Sequence, residues 1–556
     1  MRYRLSLTAL LAALAVSATA AAQDNQPNIL LIVADDLGYS DIGVYGSEIR
    51  TPSLDALAER GVQLTNYHSG PTCGPTRAML MSGIDHHRAG VGINAASLLR
   101  LPELRGLPGY EGYLNDRVVT FAKLLQDAGY DTFMTGKWDL GRQPDKLPNA
   151  RGFDRSFALA PGGASHFSDS LGTFRPTPEA DYYEDGERVA DLPDDFYSTS
   201  FYTDTMIDYI DSRPDANGPW FGYMAYTAVH WPLQVPDDWL DRYKGRYSAG
   251  WSELRRQRLE RQIELGIVPP GTSLSRPTNG VDAWEDLNPS QRRLEERRME
   301  LYAAMVELLD ENIGRLVAAA TADDGRETVI IFVSDNGPEG NDIGRINDNE
   351  YWIPLTFDNR YANLGRRGSY QWTGPGWGLA SATPFSIYKS FLTEGGIRTP
   401  AIVASTRDRM PAGTRDAMVT VRDVSATILE LAGVEHPGAS YEGRSILPMT
   451  GRSAVDYLSG NADSVHPGEA LGWELYGNRA MIVDNWKAIM TLPPEGNGEW
   501  QLFDIAVDPS EQNDLAAANP QRLSDMITQW QGYAEENGVY ILDYEAGYGR
   551  FEKREE

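Results

Sequence analysis

The chain has 556 residues, 41% of them hydrophobic, and a formal net charge of −29 from 50 basic and 79 acidic side chains. That length suits one large α/β domain with a smaller companion, and the apolar content is enough for a sizeable core. So acidic a surface excludes nucleic acid and anionic membranes as natural partners, and any anion site must be a local cluster of cations set against the global field.

At the start, Arg2 and Arg4 precede an apolar stretch over residues 5–16 and a small-residue run over 18–22. This pattern predicts a signal peptide over residues 1–22 and an exported product, periplasmic or secreted. The apolar core of the signal is too short to span a bilayer, and no later stretch is long enough to do so. Asn28–Ala34 then reads as a continuous apolar run, the kind a parallel strand buried on both faces needs, and it ends in Asp35-Asp36. A helix is predicted from Pro52, with Thr51 as N-cap, proline in the first turn and Gly61 as the stop.

Cys73 is the single cysteine. Exported proteins usually carry cysteines in even numbers for disulfides, so an unpaired thiol in the run Cys73-Gly74-Pro75-Thr76-Arg77 points to a chemical purpose. The alternative is a small buried hydrophobe, which is what most free cysteines are.

Two further strands are predicted over residues 130–135 and 220–226. The first leads into Gly136-Lys137-Trp138-Asp139 and the second into His230. The arginine-rich stretch 253–264 reads as a solvated helix. Thr328–Ser334 repeats the buried-strand pattern and ends in Asp335-Asn336-Gly337. Residues 340–389, with Trp352, Phe357, Tyr361, Tyr370, Trp372 and Trp377 among glycines and prolines, read as a loop region ending at Lys389. Those aromatics either roof an active site and receive an aryl group or form satellite clusters under the loop. Alternating segments over 471–490 and 500–505 predict a small antiparallel sheet, closed by a helix over 520–535.

Strands alternating with helices imply a mostly parallel sheet covered on both faces, with ligands bound outside the carboxyl ends of its strands. Asp35, Asp36, Asp335 and Asn336 all fall there and offer only oxygen, the preference of a hard divalent cation, calcium first. Zinc-type cysteine and histidine spacing is absent. His68, His86, His87, His166, His436 and His466 do not directly follow an apolar strand, and none is read as a ligand, although His86 and His87 are near enough to Cys73 to shape its surroundings.

The motifs Pro27-Asn28 to Asp35-Asp36-Leu37-Gly38, Cys73-Gly74-Pro75-Thr76-Arg77, Gly136-Lys137-Trp138, His230-Trp231-Pro232, Ser334-Asp335-Asn336-Gly337 and Lys389 resemble those of the type I sulfatases of the alkaline-phosphatase superfamily, bacterial arylsulfatases in particular. The resemblance implies a large mixed, mostly parallel sheet flanked by helices over residues 23–460 and a smaller C-terminal α+β domain over 461–556. It also implies hydrolysis of sulfate monoesters to an alcohol or phenol plus inorganic sulfate. Cys73 would be oxidised to formylglycine by a formylglycine-generating or sulfatase-maturating enzyme and would hydrate to a diol. Calcium would be held by Asp35, Asp36, Asp335 and Asn336, completed by the modified side chain at 73. Arg77, Lys137, His230 and Lys389 would line the anion pocket, Asp335 would deprotonate the nucleophile, and His230 with Lys389 would serve the leaving group.

One position departs from the family pattern. The family block is usually Gly-Lys-Trp-His-Leu-Gly, and here Asp139 replaces the histidine that touches the modified side chain. Asp139 acts as a base for sulfate release, pairs with Lys137 or Arg77, or marks a slow variant; impaired turnover is the expectation. The alternatives to a sulfatase are a phosphonate monoester or phosphodiester hydrolase, and a catalytically impaired sulfate-ester binding protein.

Overall fold

The computed structural model describes residues 26–322, 325–346 and 348–542, and the backbone of 545–547 and 550–552. The predicted signal peptide lies outside the described residues. No helix among them is long and apolar enough to cross a membrane.

Ten strands form one twisted sheet: β1 (Asn28–Ala34), β2 (Val62–Leu64), β3 (Asp131–Lys137), β4 (Arg155–Leu159), β5 (Tyr182–Glu184), β6 (Glu187–Arg188), β7 (Trp220–Ala225), β8 (Thr328–Ser334), β9 (Ala401–Ser405) and β10 (Gly413–Arg415). Their spatial order is β10-β2-β9-β8-β1-β7-β3-β4-β5-β6. The central five, β8-β1-β7-β3-β4, are parallel, and antiparallel pairs flank them at β8-β9 and β4-β5. The sheet is therefore mixed and mostly parallel, as the sequence predicts.

The central strands are apolar throughout because both their faces are covered. Leu30 and Ile32 of β1 point into one core, with α1 (Pro52–Glu59), α3 (Ser198–Asp211) and α5 (Pro289–Ala320). Ile29, Leu31 and Val33 point into the other, with α2 (Cys73–Ser82) and α6 (Val421–Ala432). The strand period of two sends alternate residues to opposite faces.

Two local expectations are corrected. Thr51 stands at the N-cap of α1 without capping it, because its hydroxyl accepts from Gly43 N at 2.8 Å and bonds Asp55 at 3.2 Å. The free amides of Ser53 and Leu54 instead donate to Asp310 of α5 at 3.0 and 2.8 Å, so a remote carboxylate satisfies the helix start. The stretch 253–264 belongs to α4 (Gly250–Leu265), one face of which is buried rather than solvated. Arg258 is fully buried there and pairs with Asp41 at 2.6 Å and Glu48 at 2.8 Å.

Toward the C-terminus, β11 (Ala470–Leu475), β12 (Asn478–Val483), β13 (Trp486–Met490) and β14 (Trp500–Asp504) form an antiparallel meander, on which α7 (Pro520–Asn537) packs through Met526 and Trp530.

Candidate active site

Register brings the acidic residues together. Ala34 at the end of β1 pairs with Ser334 at the end of β8, so the chain delivers Asp35 beside Asp335 and Asp36 beside Asn336. Asp36 adopts a left-handed backbone (φ 62°), which turns the chain out of the sheet. Its amide donates to Asp335 Oδ1 at 3.3 Å, and Asn336 Nδ2 donates to Asp36 Oδ1 at 2.7 Å. All four residues are at most 1% exposed.

The cations arrive from other elements, one for each carboxylate. Lys137 at the end of β3 donates to Asp35 Oδ2 at 2.7 Å. Gly136 makes that approach feasible, since its φ is +108° and a side chain there would sit 1.9 Å from the carbonyl oxygen of Ala225. Lys389 lies 2.7 Å from Asp36 Oδ1, and Arg77 pairs with Asp335 Oδ2 at 2.8 Å. Arg77 stands one turn after Cys73 on the same face of α2 and also donates to the carbonyl of Lys137 at 2.9 Å.

Cys73 begins α2, with its sulfur 3.4 Å from Asp35 Oδ1 and 3.9 Å from Asp36 Oδ1. Burial pushes its thiol well above the ordinary range, and Lys137 and Lys389 only partly offset that. Burial and then the charge of Asp35 push Asp335 up to about 6, against Arg77. Burial also acts to raise Asp36, but Lys389, His230 and Lys137 outweigh it and bring this carboxyl down to about 2.

His230 follows β7, with Nε2 3.8 Å from Asp36 Oδ2 and Nδ1 2.6 Å from the carbonyl of Trp231. That carbonyl requires the Nδ1 proton, which leaves Nε2 toward Asp36. Burial holds its pKa well below the usual histidine value, with Asp36 opposing and Lys389 and Lys137 adding to the effect.

One ligand atom from each of Asp35, Asp36, Cys73 and His230 lies within 4.8 Å of all the others. Asn336 Oδ1 is buried without a hydrogen-bond donor. A buried acceptor left unpaired costs about 1–3 kcal/mol, and a coordinated cation removes that cost. The oxygen-rich donor set with this orphan amide oxygen fits a hard divalent metal.

The sulfatase family model matches residues 27–434. A second model, the C-terminal region of N-sulphoglucosamine sulphohydrolase, matches residues 386–531. The chain belongs to the sulfatase family. It is a type I sulfatase and a sulfuric ester hydrolase. It is 42% identical over 530 residues to an uncharacterized sulfatase of Schizosaccharomyces pombe, covering 93% of this chain and 95% of that one. It is 40% identical over 440 residues to the arylsulfatase of Klebsiella aerogenes, covering 78% and 92%. Among solved structures, that of Ps i-CgsB shares the fold with a TM-score of 0.64 at 24% identity, covering 93% of this chain and 95% of that one.

In this sulfatase the acidic floor opens into a cavity of about 850 Å³ lined by Cys73, Asp139, His230 and Lys389. Arg77, Lys137 and Asp335, expected at the anion pocket or beside the nucleophile, are not among its lining residues. Asp335 Oδ2 is held by Arg77 and its Oδ1 accepts from Asp36 N, while the sulfur itself contacts Asp35 at 3.4 Å and Asp36 at 3.9 Å. Ala95, Leu98, Leu99 and Phe174 give the cavity an apolar wall, and Arg100, Arg105, Arg142 and Arg175 also line it.

The aromatics of 340–389 do not line this cavity. Phe357 and Tyr370 pack with Trp231 behind His230, and Trp352 and Trp372 lie against the same cluster. Trp377 packs edge-on against Trp251 and Trp284, and Tyr361 lies under Arg293. Of the two readings of these residues, satellite packing holds.

Asp139 has a left-handed backbone (φ 56°). Among the described residues its carboxylate makes no hydrogen bond or ion pair: Lys137 is engaged by Asp35 and Arg77 by Asp335. Of the three readings of Asp139, pairing with Lys137 or Arg77 is thus absent among the described residues. Burial raises its pKa, while the charges of Lys137, Arg77 and Arg142 oppose the shift.

Sequence reasoning missed several supports. Asn94 accepts from Gly74 N at 3.2 Å and donates to Thr72 Oγ1 at 2.8 Å, which steadies the start of α2. His166 Nε2 donates to the carbonyl of His230 at 3.0 Å, with Ser198 fixing its other nitrogen at 2.7 Å. Glu339, also buried, receives the indole N–H of Trp231 at 3.3 Å and lies 3.6 Å from Lys389. Nothing local marks these residues, since each partner is remote in sequence. His87 is clamped between Asp85 and Glu474 at 2.9 Å each, so it ties the loop after α2 to the small sheet.

Proposed function

We propose that this sulfatase is an exported arylsulfatase that hydrolyses sulfate monoesters through a hydrated formylglycine made from Cys73 by a maturating enzyme, with calcium as the bound cation. The observation that carries the reading is the position of the Cys73 sulfur, at the helix start, 3.4 Å from Asp35 and at the floor of the cleft. The test is the mass of the peptide containing residue 73 in protein recovered from its exporting host. Formylglycine supports the proposal, and an unmodified thiol in fully active protein sinks it.

When bound, the cation neutralises the charge of the ester's oxygens, and the diol at residue 73 supplies the nucleophilic hydroxyl. Asp35, Asp36, Asp335 and Asn336 would hold the cation. Lys137 and Arg77, each clamped to one of these carboxylates, oppose the rise that burial gives Asp35 and Asp335 and hold both in place for it. Lys389 faces the cleft and stabilises anionic oxygen there. His230, whose Nδ1 proton is committed to the carbonyl of Trp231, turns Nε2 to the cleft; burial disfavours the charged ring, so Nε2 takes up a proton as the anionic ester enters and passes that proton to the departing oxygen. The apolar wall of Leu98, Leu99 and Phe174 receives the leaving group.

Cation removal is expected to destabilise the fold measurably. Calcium supplied at about 100 times its Kd should add roughly 2.7 kcal/mol of stability. Thermal melts with chelator, then with calcium or magnesium restored, check this. Equal melting temperatures in all three sink the metal assignment.

Asp139 is an anion with no ion pair among the described residues, since Lys137 is held by Asp35, Arg77 by Asp335, and Lys389 by Asp36 and Glu339. A carboxylate about 4 Å from a bound sulfate would cost on the order of 4 kcal/mol at an effective dielectric near 20. Histidine tolerates the left-handed backbone at this position as aspartate does. Asp139→His is therefore expected to speed sulfate release, about tenfold or more, in rapid-quench experiments. An unchanged rate shows that Asp139 does not limit turnover.

A further inference from the structure

Lys389 sits in a strained loop. Ile387 (φ 56°) and Ser390 (φ 78°) are both left-handed without being glycine, and a β-branched residue such as isoleucine is a clear outlier there. Such conformations persist only where the surroundings over-determine them. Part of the fastening is backbone: Lys389 N donates to Pro338 O at 3.1 Å, and Ser390 N to Pro71 O at 2.7 Å, two residues before Cys73.

The rest comes from the C-terminal sheet. Glu394, five residues after Lys389 and fully buried, receives the ammonium of Lys487 from β13 at 2.7 Å. Its second oxygen lies 3.2 Å from His68 Nε2 and 3.3 Å from Arg398, and its amide donates to Glu511 at 2.9 Å. Lys487, itself fully buried, also lies 2.9 Å from Glu511. At the other end of the loop, Ser386 Oγ donates to Ser510 O at 2.6 Å. Lys487 is therefore a single buried cation held between Glu394 of the Lys389 loop and Glu511 of the C-terminal region, and Glu394 also holds His68 of the segment leading to Cys73.

Removing one member of such a buried cluster leaves an uncompensated charge. The loop could relieve both that charge and its backbone strain by letting go. We infer that Lys487 is a positioning residue: through Glu394 it holds the strained loop and so sets the Lys389 ammonium at the cleft, making the C-terminal sheet part of the catalytic apparatus without touching substrate. The inference rests on the proposed role of Lys389 beside the reacting ester.

The test uses the full-length mature protein and the variants Lys487→Met, Lys487→Arg and the milder Glu511→Gln. Hydrogen exchange over residues 386–398 should quicken about tenfold or more in Lys487→Met while the amides of β1 keep their wild-type rates. Activity is read with aryl sulfates of graded leaving-group pKa. A misplaced Lys389 should cost on the order of 100-fold in kcat/KM for the poorest leaving group and about tenfold or less for 4-nitrophenyl sulfate, with Lys487→Arg recovering most of the loss. Glu511→Gln should show the same graded pattern at smaller size.

A loss by one common factor for every ester would mark a purely structural defect and overturn the inference. So would unchanged exchange over 386–398, or quickening spread evenly through the fold. A wild-type protein that hydrolysed no sulfate ester would overturn the proposed function instead, and the exchange measurement would still decide whether Lys487 holds the loop.

Discussion

Replacing Cys73 by alanine is expected to lower kcat/KM for 4-nitrophenyl sulfate by about 10,000-fold or more, the scale on which a covalent nucleophile contributes. The fold should survive, because loss of one small buried sulfur at a helix start costs only on the order of 1 kcal/mol. Steady-state kinetics beside a thermal melt check both halves. A variant retaining a tenth of wild-type activity would remove residue 73 from the chemistry, and a variant that failed to fold would show that the site also carries the stability of α2.

His230→Ala is expected to produce the second-largest loss, about 100- to 10,000-fold, since a positioned proton donor contributes on that scale. The loss should grow with the pKa of the leaving group, because a good leaving group departs without a proton. Its measurement is kcat/KM over a graded series of aryl sulfates at one pH. An equal loss for all of them would assign His230 to holding the ester or Asp36 rather than to proton transfer. The geometry favours the graded outcome: Nδ1 is occupied by the carbonyl of Trp231 at 2.6 Å, so Nε2 is the nitrogen left for substrate.

These two residues were legible in the sequence for different reasons. Cys73 stood out by composition as the single cysteine of a chain predicted to be exported, and its neighbours Gly74, Pro75 and Arg77 gave it a turn and a cation. His230 stood out by position, a few residues after an apolar strand. Asp35, Asp36, Asp335 and Asn336 were readable for the same reason. A strand buried on both faces must be apolar along its length, so the first polar residues past its end are conspicuous and fall where parallel sheets bind ligands.

Where the sequence misled, a remote partner overrode a local signal. The charged stretch 253–264 reads as solvated until Asp41 and Glu48 arrive to pair with Arg258. The aromatics of 340–389 leave a substrate roof and satellite packing equally open until Trp231, Trp251 and Trp284 arrive and decide for packing. Thr51 looks like a cap until Asp310 satisfies the helix start from across the core. In each case local propensity is a weak term beside the burial of a charge, a large ring or a backbone amide.

The sequence by itself determined the fold class, the buried strands, the unpaired cysteine and the oxygen-rich strand ends, because these follow from the period of apolar residues and from composition along the chain. Only the tertiary structure decided which cation serves which carboxylate, that Asp139 has no ion pair among the described residues, and that Lys487 reaches the Lys389 loop. Those pairings depend on the register of β1 against β8 and on approaches between residues 93 to 353 positions apart. A buried charge is stable only with its partner at contact distance, and no pattern along the chain records which partner that will be.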